Sequence, residues 1–246
     1  MSERRFRVWR GDSRGGGLVE YAVATEEGMV VLDALREIQR TQAADLAIRW
    51  NCKAAKCGSC SAEVNGRPCL MCKTRLDALP QDEPIVVEPL RVFPVIRDLV
   101  ADVSWNYEVN KLIPAFQPKE GVEWRMGQED VDRVAEFRKC IECFLCQDVC
   151  HVLREHDLKA RYFGPRFMVR IAALEMHPLD AGDRTELLAG AGGLGLCNIT
   201  KCCGDVCPEG ITITDNAIIP LKERVVDRRY DPVARLVRRL TVARNR

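Results

Sequence analysis

Thirteen cysteines in 246 residues carry most of the chemistry in this sequence. None precedes Cys52, and they arrive in three groups. Cys52, Cys57, Cys60, Cys69 and Cys72 form the first, Cys140, Cys143, Cys146 and Cys150 the second, and Cys197, Cys202, Cys203 and Cys207 the third. An odd count argues against a disulfide framework. So does the N-terminus, MSERRFRVWRGDSRGGG, which lacks the apolar stretch of an export signal. In a reducing compartment clustered thiols are metal ligands, and three histidines are too few to share that work. Zinc and iron–sulfur chemistry are the classes left.

In the first group, Cys52-x4-Cys57-x2-Cys60 followed by x11-Cys72 is the spacing that holds a plant-type [2Fe-2S] cluster. Two sulfide-bridged irons need four thiolates at opposite ends. Ala54, Ala55, Gly58 and Ser59 are small enough to let backbone amides approach the sulfurs. Asn65-Gly66 is a type I′ hairpin signal between two apolar runs. Pairing Val64 with Arg67 and counting outward sets Cys60 beside Met71 and Cys72, so the turn returns the fourth ligand to the other three. A second reading makes Cys57-x2-Cys60 and Cys69-x2-Cys72 the knuckles of a zinc ribbon. It leaves Cys52 without a role. In the iron–sulfur reading Cys69 is surplus and behaves as a small buried apolar side chain.

Cys140-x2-Cys143-x2-Cys146-x3-Cys150 is the run that binds cubane clusters. Its first three thiols take three corners of one cube, and the fourth serves a neighbouring cluster. Cys197-x2-Thr200-x2-Cys203-x3-Cys207-Pro208 repeats the run with Thr200 in place of the second cysteine. Crossing the fourth ligands gives Cys140, Cys143, Cys146 and Cys207, a full set for [4Fe-4S]. The other set, Cys150, Cys197 and Cys203, is one thiolate short. A threonine hydroxyl is a poor iron ligand at neutral pH, so this set points to [3Fe-4S], a cube lacking the corner nearest Thr200. The competing arrangement is a four-iron cube completed by water, hydroxyl or Cys202. Cys202 adjoins Cys203, and adjacent side chains rarely aim at one cluster.

The elements that must hold these groups divide in character. Phe6 and Val8 alternate with Arg5 and Arg7, and Leu18 to Val23 is a second strand after a Gly15-Gly16-Gly17 turn. Val31, Leu35 and Ile38 share one face of a helix over residues 30–40, and Ile85-Val86-Val87 is a further strand. Pro114, Pro118 and Gly121 mark a linker without periodicity. Beyond it Val131, Val134, Ala135 and Arg138, and then Phe167, Ile171 and Leu174, have helical spacing. The expectation is an α+β chain: a two-iron domain over residues 1–113 and an all-α domain over 114–246 with the two cubane motifs.

Composition excludes several functions. At 47% hydrophobic and 30% charged residues the chain can build a core, so global disorder is excluded. Lys and Arg number 37 against 36 Asp and Glu, which gives no overall reason to expect nucleic acid. The longest uncharged run, residues 187–200, has 14 residues and falls short of the ~18–20 that a membrane span needs. Gly190-x-Gly192-x-x-Gly195 matches a dinucleotide fingerprint only in letters, since residues 184–189 before it read as helix rather than strand. No FAD site is expected in the chain itself. Residues 222–246 hold nine basic and three acidic side chains, with Val233, Leu236, Val237 and Leu240 on one helical face. That face suits either an anionic membrane surface or anchor subunit, or packing on its own domain.

A two-iron motif followed by two crossed cubane motifs, the second lacking one cysteine, resembles the iron–sulfur subunits of succinate dehydrogenases and fumarate reductases. The likeness covers nearly the whole chain, through Cys52–Cys72, Glu88-Pro89-Leu90 to Asp98-Leu99-Val100, Cys140-Ile141-Glu142-Cys143 and Val206-Cys207-Pro208. It implies a β-grasp ferredoxin-like N-terminal domain and a helical ferredoxin C-terminal domain. It also implies a relay: FAD of a partner flavoprotein, then [2Fe-2S], [4Fe-4S] and [3Fe-4S], then quinone at membrane-anchor subunits, with the chain peripheral on the cytoplasmic face of a bacterial inner membrane. The chain departs from the family after Cys150, where His151-Val152-Leu153 replaces the aromatic residues that many members place against quinone, and at Asn198, where some have histidine. His151 is then a candidate quinone contact, or a surface or capping histidine. An adapter for another flavin-dependent oxidoreductase and a zinc-binding scaffold are the alternatives.

Overall fold

The structure is a computed structural model and describes residues 2–233. Strands β1 (Ser2–Asp12) and β2 (Gly15–Thr25) form an antiparallel hairpin, and α1 (Val31–Thr41) follows. Then come β3 (Ser61–Val64), β4 (Arg67–Leu70), β5 (Ile85–Glu88), β6 (Val95–Arg97), β7 (Val100–Ala101) and α2 (Ser104–Lys111). The sheet runs β4-β3-β5-β1-β2, with β1 and β5 parallel at its centre and the β6–β7 hairpin attached to the end of β1 at Asp12. The alternation in β1 buries Phe6 and Val8 completely. Helix α1 lays Val31, Leu32, Leu35 and Ile38 against them, all fully buried. A sheet wrapped on one helix is the β-grasp arrangement that the resemblance implied.

One local expectation changes. Gly15, Gly16 and Gly17 belong to β2, and the turn lies before them at Ser13-Arg14. Asp12 closes it by accepting from the Arg14 amide at 2.8 Å. The glycines are needed inside the hairpin instead, because a Cβ on Gly16 would lie 2.3 Å from the Arg10 carbonyl oxygen.

The second half is helical: α3 (Gln128–Ala135), α4 (Leu145–Asp148), α5 (His151–Arg154), α6 (Pro165–Glu175), α7 (Thr185–Ala189), α8 (Cys202–Asp205) and α9 (Ile219–Arg229), the last entered through a π-helical turn at Ile213–Ile218. The segment between the halves is irregular, as its prolines predicted, yet it is clamped. The fully buried Arg184 side chain donates to the carbonyls of Pro114 (2.9 Å) and Ala115 (2.7 Å) and pairs with Asp180 at 2.9 Å. The halves pack closely. Phe93 and Tyr107 meet the Phe144 ring edge-on, each at 6.2 Å, and the Val92 amide donates to Asp148 at 3.0 Å. Val233 is exposed, and the rest of the expected apolar face, Leu236, Val237 and Leu240, lies outside the described residues. Among the described residues no helix is long and apolar enough to cross a membrane.

Candidate iron–sulfur centres

The loop at Cys52–Cys60 is held at its base by Asp98, which is 2% exposed. Asp98 accepts from the Ala47 amide at 2.8 Å, the Gly11 amide at 3.0 Å and the Arg10 Nε at 3.1 Å, tying the irregular segment that enters the loop to β1. Lys53, Ala55 and Gly58 all have positive φ, at 53°, 55° and 69°, so the chain coils with its amides turned inward. The amides of Ala54 and Lys56 donate to the Cys52 sulfur at 3.3 and 3.4 Å, and the Cys52 amide to the Cys57 sulfur at 3.5 Å. Burial works against a Cys57 thiolate, but hydrogen bonds from Ser59 and Cys52 outweigh it and bring the thiol down to about 6. Amides aimed at sulfur suit thiolates that carry the charge of an iron cluster.

The hairpin returns the fourth cysteine as the turn chemistry predicted. Asn65 and Gly66 have φ of 49° and 74°, the pair of positive values that a type I′ turn needs. Ser61 pairs with Leu70, and the Met71 amide donates to the Cys60 carbonyl at 3.0 Å, which sets Cys72 beside Cys60. Burial, with Cys72 adjacent, pushes the Cys60 thiol up to about 12. Cys69 lies elsewhere, in a groove between β4 and Cys207-Pro208. Burial raises its thiol, and the groups opposing this are Thr74, Arg67 and the backbone at Val64, none of them a cysteine.

The second and third groups repeat one backbone conformation. Cys140 and Cys197 each close a 3₁₀ turn, with φ, ψ of −63°, 117° and −71°, 120°. Glu142 and Phe144, on either side of Cys143, have φ of 55° and 61°. Ile199 and Lys201, on either side of Thr200, both have 65°. Each run then enters a four-residue helix, α4 or α8. Thr200 therefore stands where the second cysteine of the first run stands. Cys202 falls in the place of Leu145, a core residue 1% exposed, and its thiol lies 3.6 Å from the Val149 carbonyl oxygen.

Two cages follow from this repeat. Cys140, Cys143, Cys146 and Cys207 line one cavity together with Ile213 and Arg166. Burial raises the Cys143 thiol to about 12, with Cys140 and Cys207 adding to it. On the other side, burial lifts Cys150 to about 11 and Cys203 to about 12, with Cys197 and Cys202 nearby in both cases. The Tyr162 hydroxyl, in a residue 1% exposed, has no oxygen or nitrogen partner among the described residues and lies against the Cys197 sulfur. Burial and then the sulfurs of Cys197, Cys150 and Cys203 hold its phenol well above the ordinary range. Burial makes bare thiolates costly here; metal bonds remove that cost. A buried phenol beside three cysteine sulfurs likewise fits a cage that offers it sulfur acceptors.

The first group and the four-cysteine cage touch. A Cβ on Gly58 would lie 2.8 Å from the Cys143 Cα, and the Ser61 hydroxyl is 2.9 Å from the Cys143 carbonyl oxygen. Sequence spacing did not reveal Gly58 and Ser61 as the contact, nor Tyr162 and Arg166 as cage residues. It did not reveal Glu63 either, a fully buried carboxylate paired with Arg91 at 3.0 Å and Arg154 at 3.1 Å. The visible signal for Arg166 was a charged residue directly after Gly164-Pro165, at a helix start whose other side chains are apolar. His151 is half-buried at the start of α5, with its ring 6.4 Å from that of His156.

Comparison with known proteins agrees with this geometry. Residues 5–108 match the 2Fe-2S iron-sulfur cluster binding domain, and residues 136–211 match the 4Fe-4S dicluster domain. The fumarate reductase iron-sulfur subunit of Mycobacterium tuberculosis is 35% identical over 206 residues, which cover 78% of this chain and 79% of that protein. A subunit of the fumarate reductase (CoM/CoB) of Methanothermobacter marburgensis is 34% identical over 83% of this chain, and the chain spans only 40% of that protein's length. Among solved structures, a chain of the Mycobacterium smegmatis Sdh1 complex in the apo form superposes with a TM-score of 0.91 at 60% identity, covering 94% of this chain and 98% of that one. The cysteine spacing, the two domains and these relatives agree: the chain belongs to the family of iron–sulfur subunits of succinate dehydrogenases and fumarate reductases.

Proposed function

We propose that the chain is the electron-transfer subunit of a succinate:quinone oxidoreductase, working as succinate dehydrogenase or quinol:fumarate reductase, and performs no substrate chemistry alone. In this reading residues 1–113 hold [2Fe-2S] through Cys52, Cys57, Cys60 and Cys72. Residues 114–246 hold [4Fe-4S] through Cys140, Cys143, Cys146 and Cys207, and [3Fe-4S] through Cys150, Cys197 and Cys203, with Thr200 at the missing corner. Bound clusters supply one-electron redox chemistry. The protein's part is to hold them in a row, exclude water and set each potential by hydrogen bonds and charge.

The contact of Gly58 and Ser61 with Cys143 carries the proposal, because it joins the two-iron loop directly to the four-cysteine cage. The three-cysteine cage comes next, since α4 carries Cys146 and the chain leaves it through Val149 to Cys150, which caps α5. A row has two ends. The exposed Cys52–Lys56 loop faces a flavoprotein carrying FAD, and the Cys150–Cys197 end faces quinone and the membrane-anchor subunits, with His151 closest to the quinone. The chain then lies peripherally on the cytoplasmic face of the membrane. Thr200 in the Cys143 position, and Cys202 in that of Leu145, favour three irons over four at the second cage.

The test is the purified complex. About nine irons per chain, the sum of two, four and three, are expected together with acid-labile sulfide. Succinate should reduce the two-iron and three-iron centres, and quinol should reduce them from the other end. Zinc in place of sulfide would refute the reading.

A further inference from the structure

The Arg166 guanidinium is out of place among cluster ligands by its burial alone. Its side chain is 6% exposed, in the first turn of α6. It lines the cavity formed by Cys140, Cys143, Cys146 and Cys207. Its Nη2 reaches the Glu142 carboxylate, and its carbon centre lies 5.6 Å from the Phe167 ring centroid. Its Nε is buried with no acceptor among the described residues. The Glu142 carboxylate is 47% exposed, so water screens the anion more than the cation. Cys140 registers both: burial raises its thiol, Arg166 lowers it and the Glu142 charge raises it.

We propose that Arg166 is the residue that sets the reduction potential of the four-iron cluster, raising it through a buried positive charge that Glu142 partly cancels. The proposal rests on the ligand assignment above. A cubane held by four thiolates is anionic, and taking up one electron makes it more so by one unit. A fixed cation therefore stabilises the reduced form more than the oxidised form. Arg166 moves no electron or proton itself; it acts through the cluster.

The experiment is a redox titration of the intact complex, following the low-temperature paramagnetic signal of the reduced four-iron cluster. Arg166→Gln should shift the reduction equilibrium at least about tenfold toward the oxidised form, which is ~59 mV for a one-electron couple. Glu142→Gln should shift it in the opposite direction, and Arg166→Lys should stay closer to the parent. The three-iron midpoint should hold in all three variants. A packing role would not produce shifts of opposite sign. Variants that assemble the cluster to full spin at an unchanged midpoint would overturn the proposal. If Arg166→Gln loses the cluster, Glu142→Gln decides: an upward shift upholds the proposal and no shift overturns it. Absence of a four-iron signal in the parent complex would instead refute the ligand assignment, a separate failure.

Discussion

Replacing Thr200 by cysteine gives the third cysteine group the thiol that separates it from the second. The backbone needs no adjustment, because the φ values around Thr200, 65° and 65°, match the 55° and 61° around Cys143. Thr200 is exposed, and its hydroxyl contacts the Cys202 sulfur at 3.3 Å. Exposed substitutions of this kind change stability by less than about 0.5 kcal/mol, so a spectroscopic change cannot be attributed to unfolding. The new thiol and Cys150, Cys197 and Cys203 make a full cubane set. Iron should rise from about nine to about ten per chain. The signal of the oxidised three-iron cluster should fall accordingly, because an oxidised four-iron cluster has no ground-state spin.

The assay is iron and sulfide determination beside low-temperature spectra of the air-oxidised complex, with Cys202→Ser as a companion. Cys202 occupies the place of a core leucine, so Cys202→Ser should leave both iron content and the three-iron signal as they are. A three-iron signal at full intensity in Thr200→Cys, with the new thiol reactive to alkylation, would refute the missing-corner argument. A change of signal in Cys202→Ser would show that Cys202 ligates, and the set Cys150, Cys197 and Cys203 would then be incomplete.

Other perturbations follow from the same geometry. Gly58→Ala sets a Cβ within 3.0 Å of three Cys143 atoms at a φ of 69°, and left-handed strain plus overpacking should cost about 2–5 kcal/mol in a melting experiment. It should also slow reduction of the four-iron centre in a freeze-quench series; parent-like stability and rate would refute the close contact. Burial, partly offset by the Val92 amide, and the neighbouring Glu63 carboxylate push Asp148 up to about 7. Its folded value exceeds the unfolded value of about 4, so stability falls as pH rises between the two and levels off above the higher one. Asp148→Asn should remove that fall between pH ~4 and ~7, and an unchanged profile would count against the buried pair. His151→Ala should raise KM for quinone while leaving succinate oxidation with an artificial one-electron acceptor intact; equal loss in both assays would deny it a quinone contact.

What the sequence revealed and what it hid divide along one physical line. Cluster ligation is a matter of spacing along the chain, so Cys52-x4-Cys57-x2-Cys60 and the two cubane runs could be read directly, and Asn65-Gly66 even gave the register that returns Cys72. Helix α1 and strand β1 were legible because burial imposes a period on Phe6, Val8, Val31, Leu35 and Ile38. The contacts that tune and join the cages carry no period. Gly58 meets Cys143 across 85 positions, and Arg154 meets Glu63 across 91. Such contacts exist only after the halves close on each other, so no local pattern encodes them. The Gly15-Gly16-Gly17 turn failed for a related reason: glycine marks backbone freedom, and here the hairpin uses that freedom for close strand approach beside Arg10 rather than for the reversal itself. The relay depends on both kinds of information. Spacing alone would allow three clusters at unspecified separations and potentials. On the proposed ligand sets, the interface that brings Ser61 to Cys143 gives the clusters an order, and the buried Arg166 charge distinguishes one potential from the others.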